Sequence, residues 1–174
     1  MIPDRFPHVD HAIYMDVDTL VLGDIGGIME VGTGGHGIAA APDTGLRYYV
    51  NEARHRRRLG LPGSHVYFNN GVLLLDCRWW RRERALEEIV SIAQTRRRDV
   101  RFPTQDPMNV FFSPNRCNLL PARYNCMPFG GPPPADALVV HFTGEKPWED
   151  PSLPSAGLFH SYADRSPFAE AIRA

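Results

Sequence analysis

Apolar residues fall along this chain in short runs punctuated by glycine, proline and acids. His11-Ala12-Ile13-Tyr14-Met15 predicts a short buried strand ending at Asp16. Thr19-Leu20-Val21-Leu22 continues it until Gly23-Asp24, and the glycine-rich stretch 26–37 predicts a loop. Ile38-Ala39-Ala40-Ala41 reads as a second strand, stopped by Pro42-Asp43. Tyr48 to Leu59 reads as a helix with Gly60 and Pro62 as stop signals. Val66-Tyr67-Phe68 and Val72-Leu73-Leu74-Leu75 flank Asn69-Asn70-Gly71. From about Trp79 to Gln94, Leu86, Ile89, Val90 and Ala93 recur at helical spacing and predict one apolar face. A short helix over 107–112, a strand Leu138-Val139-Val140 delivering His141, and a terminal helix near 168–173 complete the pattern. Strands mixed with helices, and no internal repeat, predict one α/β domain over residues 1–174.

Composition narrows the function classes. A 43% hydrophobic and 22% charged chain of 174 residues is ordinary for a globular domain, and a net charge of -1 supplies no field for nucleic acid. No apolar run approaches the roughly 20 residues of a membrane span. The N-terminus lacks the layout of a secretion signal, so a cytoplasmic location is expected. Three unpaired cysteines, Cys77, Cys117 and Cys126, predict buried thiols rather than a disulfide framework. Of 19 basic residues, only Lys146 is lysine. The stretches Arg54 to Arg58 and Arg96 to Arg98 read first as solvated helix faces, with docking on an anionic acceptor or lipid surface as the other reading.

Four short patterns carry candidate chemistry. Asp16-Val17-Asp18 follows a strand, and side chains two apart on an extended chain share a side, so both carboxylates can reach one hard cation. Two solvated acids at a strand end would look the same. A haloacid-dehalogenase phosphatase also opens with two such acids, but Thr19-Leu20 stands where that pattern has Gly-Thr. Asn69 and Asn70 offer the donors and acceptors that sugar hydroxyls need, while Asn70-Gly71 is equally a hairpin-turn signal. In Thr104-Gln105-Asp106-Pro107, Asp106 suits a helix cap and Pro107 a first helical position. In His141-Phe142-Thr143-Gly144-Glu145-Lys146-Pro147-Trp148, the histidine is a common metal ligand type, Gly144 permits close backbone approach, and Lys146 suits phosphate oxygens.

Taken in order, these patterns resemble glycosyltransferase family 8, which includes glycogenin and bacterial lipopolysaccharide glucosyl- and galactosyltransferases. The matching text is Ala12 to Val21, Tyr67 to Leu74, Gln105-Asp106 ahead of Asn109, Leu120-Pro121 ahead of Tyr124-Asn125, and His141 to Gly144 with Lys146-Pro147-Trp148. Each motif is weak alone; the ordered set spans almost the whole chain.

The resemblance implies a GT-A fold, a mixed sheet flanked by helices that binds a nucleotide-sugar. It implies a manganese ion, with magnesium as the other candidate, held by Asp16, Asp18 and His141. Gly144 and Lys146 would contact the diphosphate, Asp16 and Val17 the nucleotide, and Asn69 the donor sugar. Gln105 would lie beside the anomeric carbon, with Asp106 as the second catalytic candidate. The implied reaction moves glucose or galactose from a UDP-sugar to a saccharide or glycolipid acceptor, retaining configuration. Thr104 stands where the family often has an acid. Only 15 residues precede Asp16, so the chain reads as the C-terminal part of a catalytic domain lacking its first strands. Exposed strand edges would then invite self-association; peripheral membrane contact is the expectation tied to the arginine-rich stretches. The rival expectation is a non-catalytic remnant that binds metal or a partner protein.

Overall fold

A computed structural model describes residues 2–114 and 116–170. Its centre is a four-stranded sheet in the order β1 (His11–Met15), β4 (Phe68–Asp76), β3 (Ile38–Pro42), β5 (Asn118–Leu119). β4 runs antiparallel to β1 and β3, and β3 runs parallel to β5. A separate antiparallel pair joins β2 (Thr19–Val21) to β6 (Val139–His141).

Both faces of the central sheet are covered, which explains why its strands read as near-continuous apolar runs. Along β3 and β4 the side chains alternate. Ile38, Ala40, Leu73 and Leu75 pack with Trp80, Ile89, Met108 and Phe112, whereas Ala39, Ala41, Val72 and Leu74 pack with Ile28, Leu120, Tyr124 and Val139. The first layer is closed by α5 (Cys77–Arg82), α6 (Ala85–Thr95) and α7 (Gln105–Phe111). The outer edge of β1 has no strand partner among the described residues. No described helix is long and apolar enough to cross a membrane.

Several expected boundaries move. Asn69-Asn70-Gly71 is not a hairpin turn but part of the nine-residue β4, because pairing with β1 and β3 on both sides outweighs the turn preference. The expected helix over 48–59 is two, α3 (Leu46–Tyr49) and α4 (Glu52–Arg58), since Asn51 starts a new helix by accepting from the Arg54 N–H. The helix expected from Trp79 is likewise broken at Arg84, which has φ 51°. It also begins earlier, at Cys77, because the Asp76 carboxylate accepts the Trp79 N–H. On α6 the buried stripe is carried by Ala85 and Ile89, while Val90 is 43% exposed.

The expected loop over 26–37 contains α2 (Gly27–Val31). The expected helix over 107–112 starts two residues earlier, so Pro107 is its third residue and Asp106 lies inside it rather than capping it. Cys77 is buried, Cys117 and Cys126 are half-buried, and all three thiols are free. The terminal helix expected near 168–173 lies partly outside the described residues.

Candidate active site

Two strand registers assemble the metal-binding candidates. In one, the Asp16 N–H donates to the Gly71 carbonyl at 2.8 Å, fixing the end of β1 against β4. In the other, Thr19 lies opposite His141, and the Phe142 N–H donates to the Asp18 carbonyl at 2.9 Å. Between these anchors residues 16–18 turn rather than extend, with Val17 as the fully exposed tip and the Thr19 hydroxyl donating to the Asp16 carbonyl. The carboxylates of Asp16 and Asp18 therefore converge through a turn, not through the strand alternation that their spacing predicts.

His141 Nε2 stands 3.2 Å from Asp18 Oδ1 and 3.7 Å from Asp16 Oδ2. One ligand atom from each of the three residues lies within 4.8 Å of the other two. Asn125 sets the imidazole tautomer. Its Nδ2 donates to Asn69 Oδ1 at 2.9 Å, so its Oδ1 faces His141 Nδ1 at 3.0 Å and accepts the ring proton. Burial pushes the His141 pKa down despite the pull of Asp18 and Asp16, so the ring is neutral near pH 7. Its Nε2 lone pair then points at two carboxylates, an arrangement that a divalent cation stabilises. The donor set of one imidazole and two carboxylates suits such an ion.

Neighbours tune the two acids differently. Tyr14 donates its hydroxyl to Asp16 Oδ1 at 2.5 Å, and that hydrogen bond, aided by burial, pushes the phenol up to about 12. Burial raises the Asp18 pKa, but the hydrogen bond from Lys146 and the charges of His141 and Lys146 outweigh it and hold the carboxyl below its ordinary range. Lys146 Nζ also donates to the Phe142 carbonyl at 2.6 Å and lies 5.7 Å from the centre of the Trp148 ring. Gly144 has φ 76°, and a Cβ there would meet the Tyr49 hydroxyl at 2.4 Å. The backbone conformation favours glycine here, and a side chain would also have to displace the Tyr49 hydroxyl.

A chain of hydrogen bonds leads from this cluster to Gln105. Asn69 Nδ2 donates to Asp43 Oδ2 at 3.4 Å, and Gln105 Nε2 donates to the same oxygen at 2.7 Å. Gln105 Oε1 accepts the Asn70 N–H at 3.2 Å, and Asn70 Nδ2 donates to Thr104 Oγ1 at 3.0 Å. Asp43 is the functional candidate that the sequence reading passed over. It follows an apolar strand directly, as Asp16 does, and that shared placement was the available signal.

Asp106, the second catalytic candidate, does not join this group of hydrogen bonds. It is fully buried on the far side of α7. Its Oδ1 accepts from Tyr67 at 2.5 Å and contacts His55 Nε2 at 2.8 Å, while its Oδ2 accepts the N–H groups of Arg101 and Phe102. Asn109 then ties the helix to β4, accepting from the Phe68 N–H and donating to the Phe68 and Gln105 carbonyls. Asp106 and Asn109 together position Gln105.

Beside Gly144 opens a cleft of about 570 Å³ lined by Tyr48, Tyr49, Phe129, Phe142 to Glu145 and Ser155. Tyr48 stacks on Phe129 with ring centres 4.6 Å apart. A second cleft of about 380 Å³ reaches Asp16 from the β1 side, lined by Tyr14, Leu73, Leu75 and Met108 among others.

The chain is 26% identical to the lipopolysaccharide 1,2-glucosyltransferase of Escherichia coli K12, an alignment covering 93% of this chain and 51% of that protein. It is 29% identical to a probable glycosyl transferase Gly of Streptococcus gordonii, over 83% of this chain and 20% of that one. The chain thus spans about half or less of the length of these relatives. Among solved structures it superposes on the bifunctional glycosyltransferase WbbM with a TM-score of 0.80 at 20% identity, covering 99% of this chain and 35% of that one. It matches the galactosyltransferase LgtC, solved with donor and acceptor sugar analogs, with a TM-score of 0.72 at 23% identity, covering 88% and 60%. These likenesses establish the GT-A glycosyltransferase fold. The model of glycosyl transferase family 8 matches residues 1–152, and the chain belongs to that family.

Proposed function

We propose that this chain carries the catalytic site of a metal-dependent retaining hexosyltransferase, taking glucose or galactose from a UDP-sugar. The observation that supports this most is the convergence of Asp16, Asp18 and His141, with the imidazole proton held on Asn125. These three residues would hold manganese, with magnesium as the alternative. When bound, the cation would act as a Lewis acid on the diphosphate.

The remaining roles belong to residues around it. Lys146 would turn from Asp18 toward the diphosphate and stabilise charge on the leaving group. Gly144 would let the backbone approach the same phosphates, and Asp16 and Val17 would meet the nucleotide. Asn69, Asp43 and Gln105 would bind the hexose hydroxyls, with Gln105 beside the anomeric carbon. Among the residues facing the site, Asp43 already accepts from Gln105 and Asn69, so a same-face attack through an oxocarbenium-like state suits the group better than a covalent carboxylate adduct. A saccharide or the glycan of a glycolipid would enter the aromatic cleft beside Gly144, where a pyranose ring can lie on Tyr48 and Tyr49. Such chemistry would take place in the cytoplasm, where nucleotide-sugars are made.

The test is turnover of UDP-glucose or UDP-galactose, read as UDP release with manganese present. Asp18→Ala abolishes it. Unchanged turnover in Asp18→Ala refutes the metal assignment.

A second reading, a binding module without transfer, is favoured by Thr104, which supplies a hydroxyl where the family often has an acid. Calorimetry separates the two: manganese binding without UDP binding favours the module, and sugar turnover excludes it.

A further inference from the structure

The two arginine-rich stretches, separate in sequence, meet in the fold. Arg96, at the end of α6, donates from Nη1 to the Leu59 carbonyl at 2.9 Å and from Nη2 to the Arg58 carbonyl at 3.1 Å. The C-terminal ends of α4 and α6 are thereby locked side by side. Arg56 pairs with Glu52, and Arg96 pairs with Asp99. Arg54, Arg57, Arg58, Arg97, Arg98 and Arg101 are exposed, and none forms an ion pair with a carboxylate among the described residues. A chain of net charge -1 therefore carries six exposed arginines without a carboxylate partner among the described residues on the two helix ends that Arg96 joins and the segment that follows them.

We propose that this surface docks the protein on an anionic lipid bilayer. Neither of the two clefts described above is lined by any of these six arginines, so neither collects them around one small anion. Neither stretch carries an exposed aromatic side chain on which bases could stack, which disfavours single-stranded nucleic acid. An extended sheet of phosphate headgroups engages several guanidinium groups at once without a pocket. The placement also suits the site. Arg101 lies four residues before Gln105, and α4 starts three residues after Gly144's neighbour Tyr49, separated from it by Val50 and Asn51. A docked bilayer lies close enough for a lipid-borne acceptor to reach the cleft. The docking itself does not depend on the transferase reading, because its readout involves no sugar.

The experiment is cosedimentation of the full chain with vesicles of phosphatidylcholine alone or with about one-third phosphatidylglycerol. Binding is expected only to the anionic vesicles, with release as salt shortens the Debye length from roughly 10 Å at 0.1 M toward 3 Å at 1 M. Each arginine near such a surface contributes about a fivefold factor in partitioning. Arg57→Gln with Arg98→Gln therefore lowers binding about 25-fold, and adding Arg54→Gln and Arg97→Gln removes it. A charge-matched control, with Arg5, Arg82, Arg123 and Arg165 changed to Gln, retains binding. Circular dichroism checks that each variant is folded, and the double variant serves if the quadruple one is not. Binding to neutral vesicles alone, equal loss in the control, or retention only on a duplex oligonucleotide overturns the proposal.

Discussion

Gly71 lies against the His141 imidazole so closely that a Cβ on its backbone would stand 2.0 Å from Cε1 and 2.4 Å from Nδ1. The contact is steric alone, since Gly71 does not occupy the left-handed region. Gly71→Ala must push the ring out of line with Asp16 and Asp18. The expected outcome is at least tenfold weaker manganese binding by calorimetry, with overpacking costing about 1–3 kcal/mol in denaturant unfolding.

Asn125 acts on the metal candidates through the ring it faces. Replacing it with Leu removes the acceptor for Nδ1–H and frees the other tautomer, which places a proton on Nε2 toward the carboxylates. Manganese affinity should fall about 10- to 100-fold, in line with other partners of metal-bound histidines. Equal affinity in Asn125→Leu would show that the tautomer is held by something else.

Tyr67 isolates the contribution of the buried Asp106 network. Its hydroxyl donates to Asp106 Oδ1, and burial followed by that bond raises its pKa far above the ordinary phenol value. Tyr67→Phe should cost about 1.5–3 kcal/mol of stability, the usual worth of a hydrogen bond to a charged group. Manganese binding should be unaffected, because Asp106 faces away from the metal candidates.

A pH effect on stability is expected from His65. Burial lowers its pKa, with the Arg56 charge adding to the shift, while its hydrogen bond with Asn109 opposes it. The folded protein therefore holds His65 neutral at pH values where the unfolded chain, with a value near 6.5, takes up a proton. Stability is full above pH 6.5 and declines as pH falls from there toward the lowered folded value. Urea midpoints from pH 7.5 to 5 should drop, and less steeply in His65→Gln; identical slopes would remove His65 as the cause.

How much of this was legible varies by element. Asp16 and His141 are legible because each follows an apolar run directly, and Asp18 because it stands two residues from Asp16; strand ends are where an open α/β sheet gathers its ligands. Asp43 carries the same mark, but Pro42 beside it supplies a sufficient local reason for the strand to stop, which masks it. The role of Asp106 depended on helical phase. Starting α7 at Gln105 instead of Pro107 moves the acid from a capping position into the buried part of the helix, and boundaries shift by that much routinely. The left-handed Arg84 has no local signal at all, since the residue type opposes the conformation. The split at Asn51 did have one, an asparagine three residues before the N–H it caps.

The hydrogen bonds from His141 through Asn125 and Asn69 run one way, each side chain giving from one end and receiving at the other, and they meet the bond from Gln105 at Asp43, whose Oδ2 accepts from both sides. Turning any single amide around would set donor against donor on one side and acceptor against acceptor on the other. Substitutions along this line are therefore tolerated only as matched sets, and the cation end and the hexose end of the cleft cannot drift apart independently.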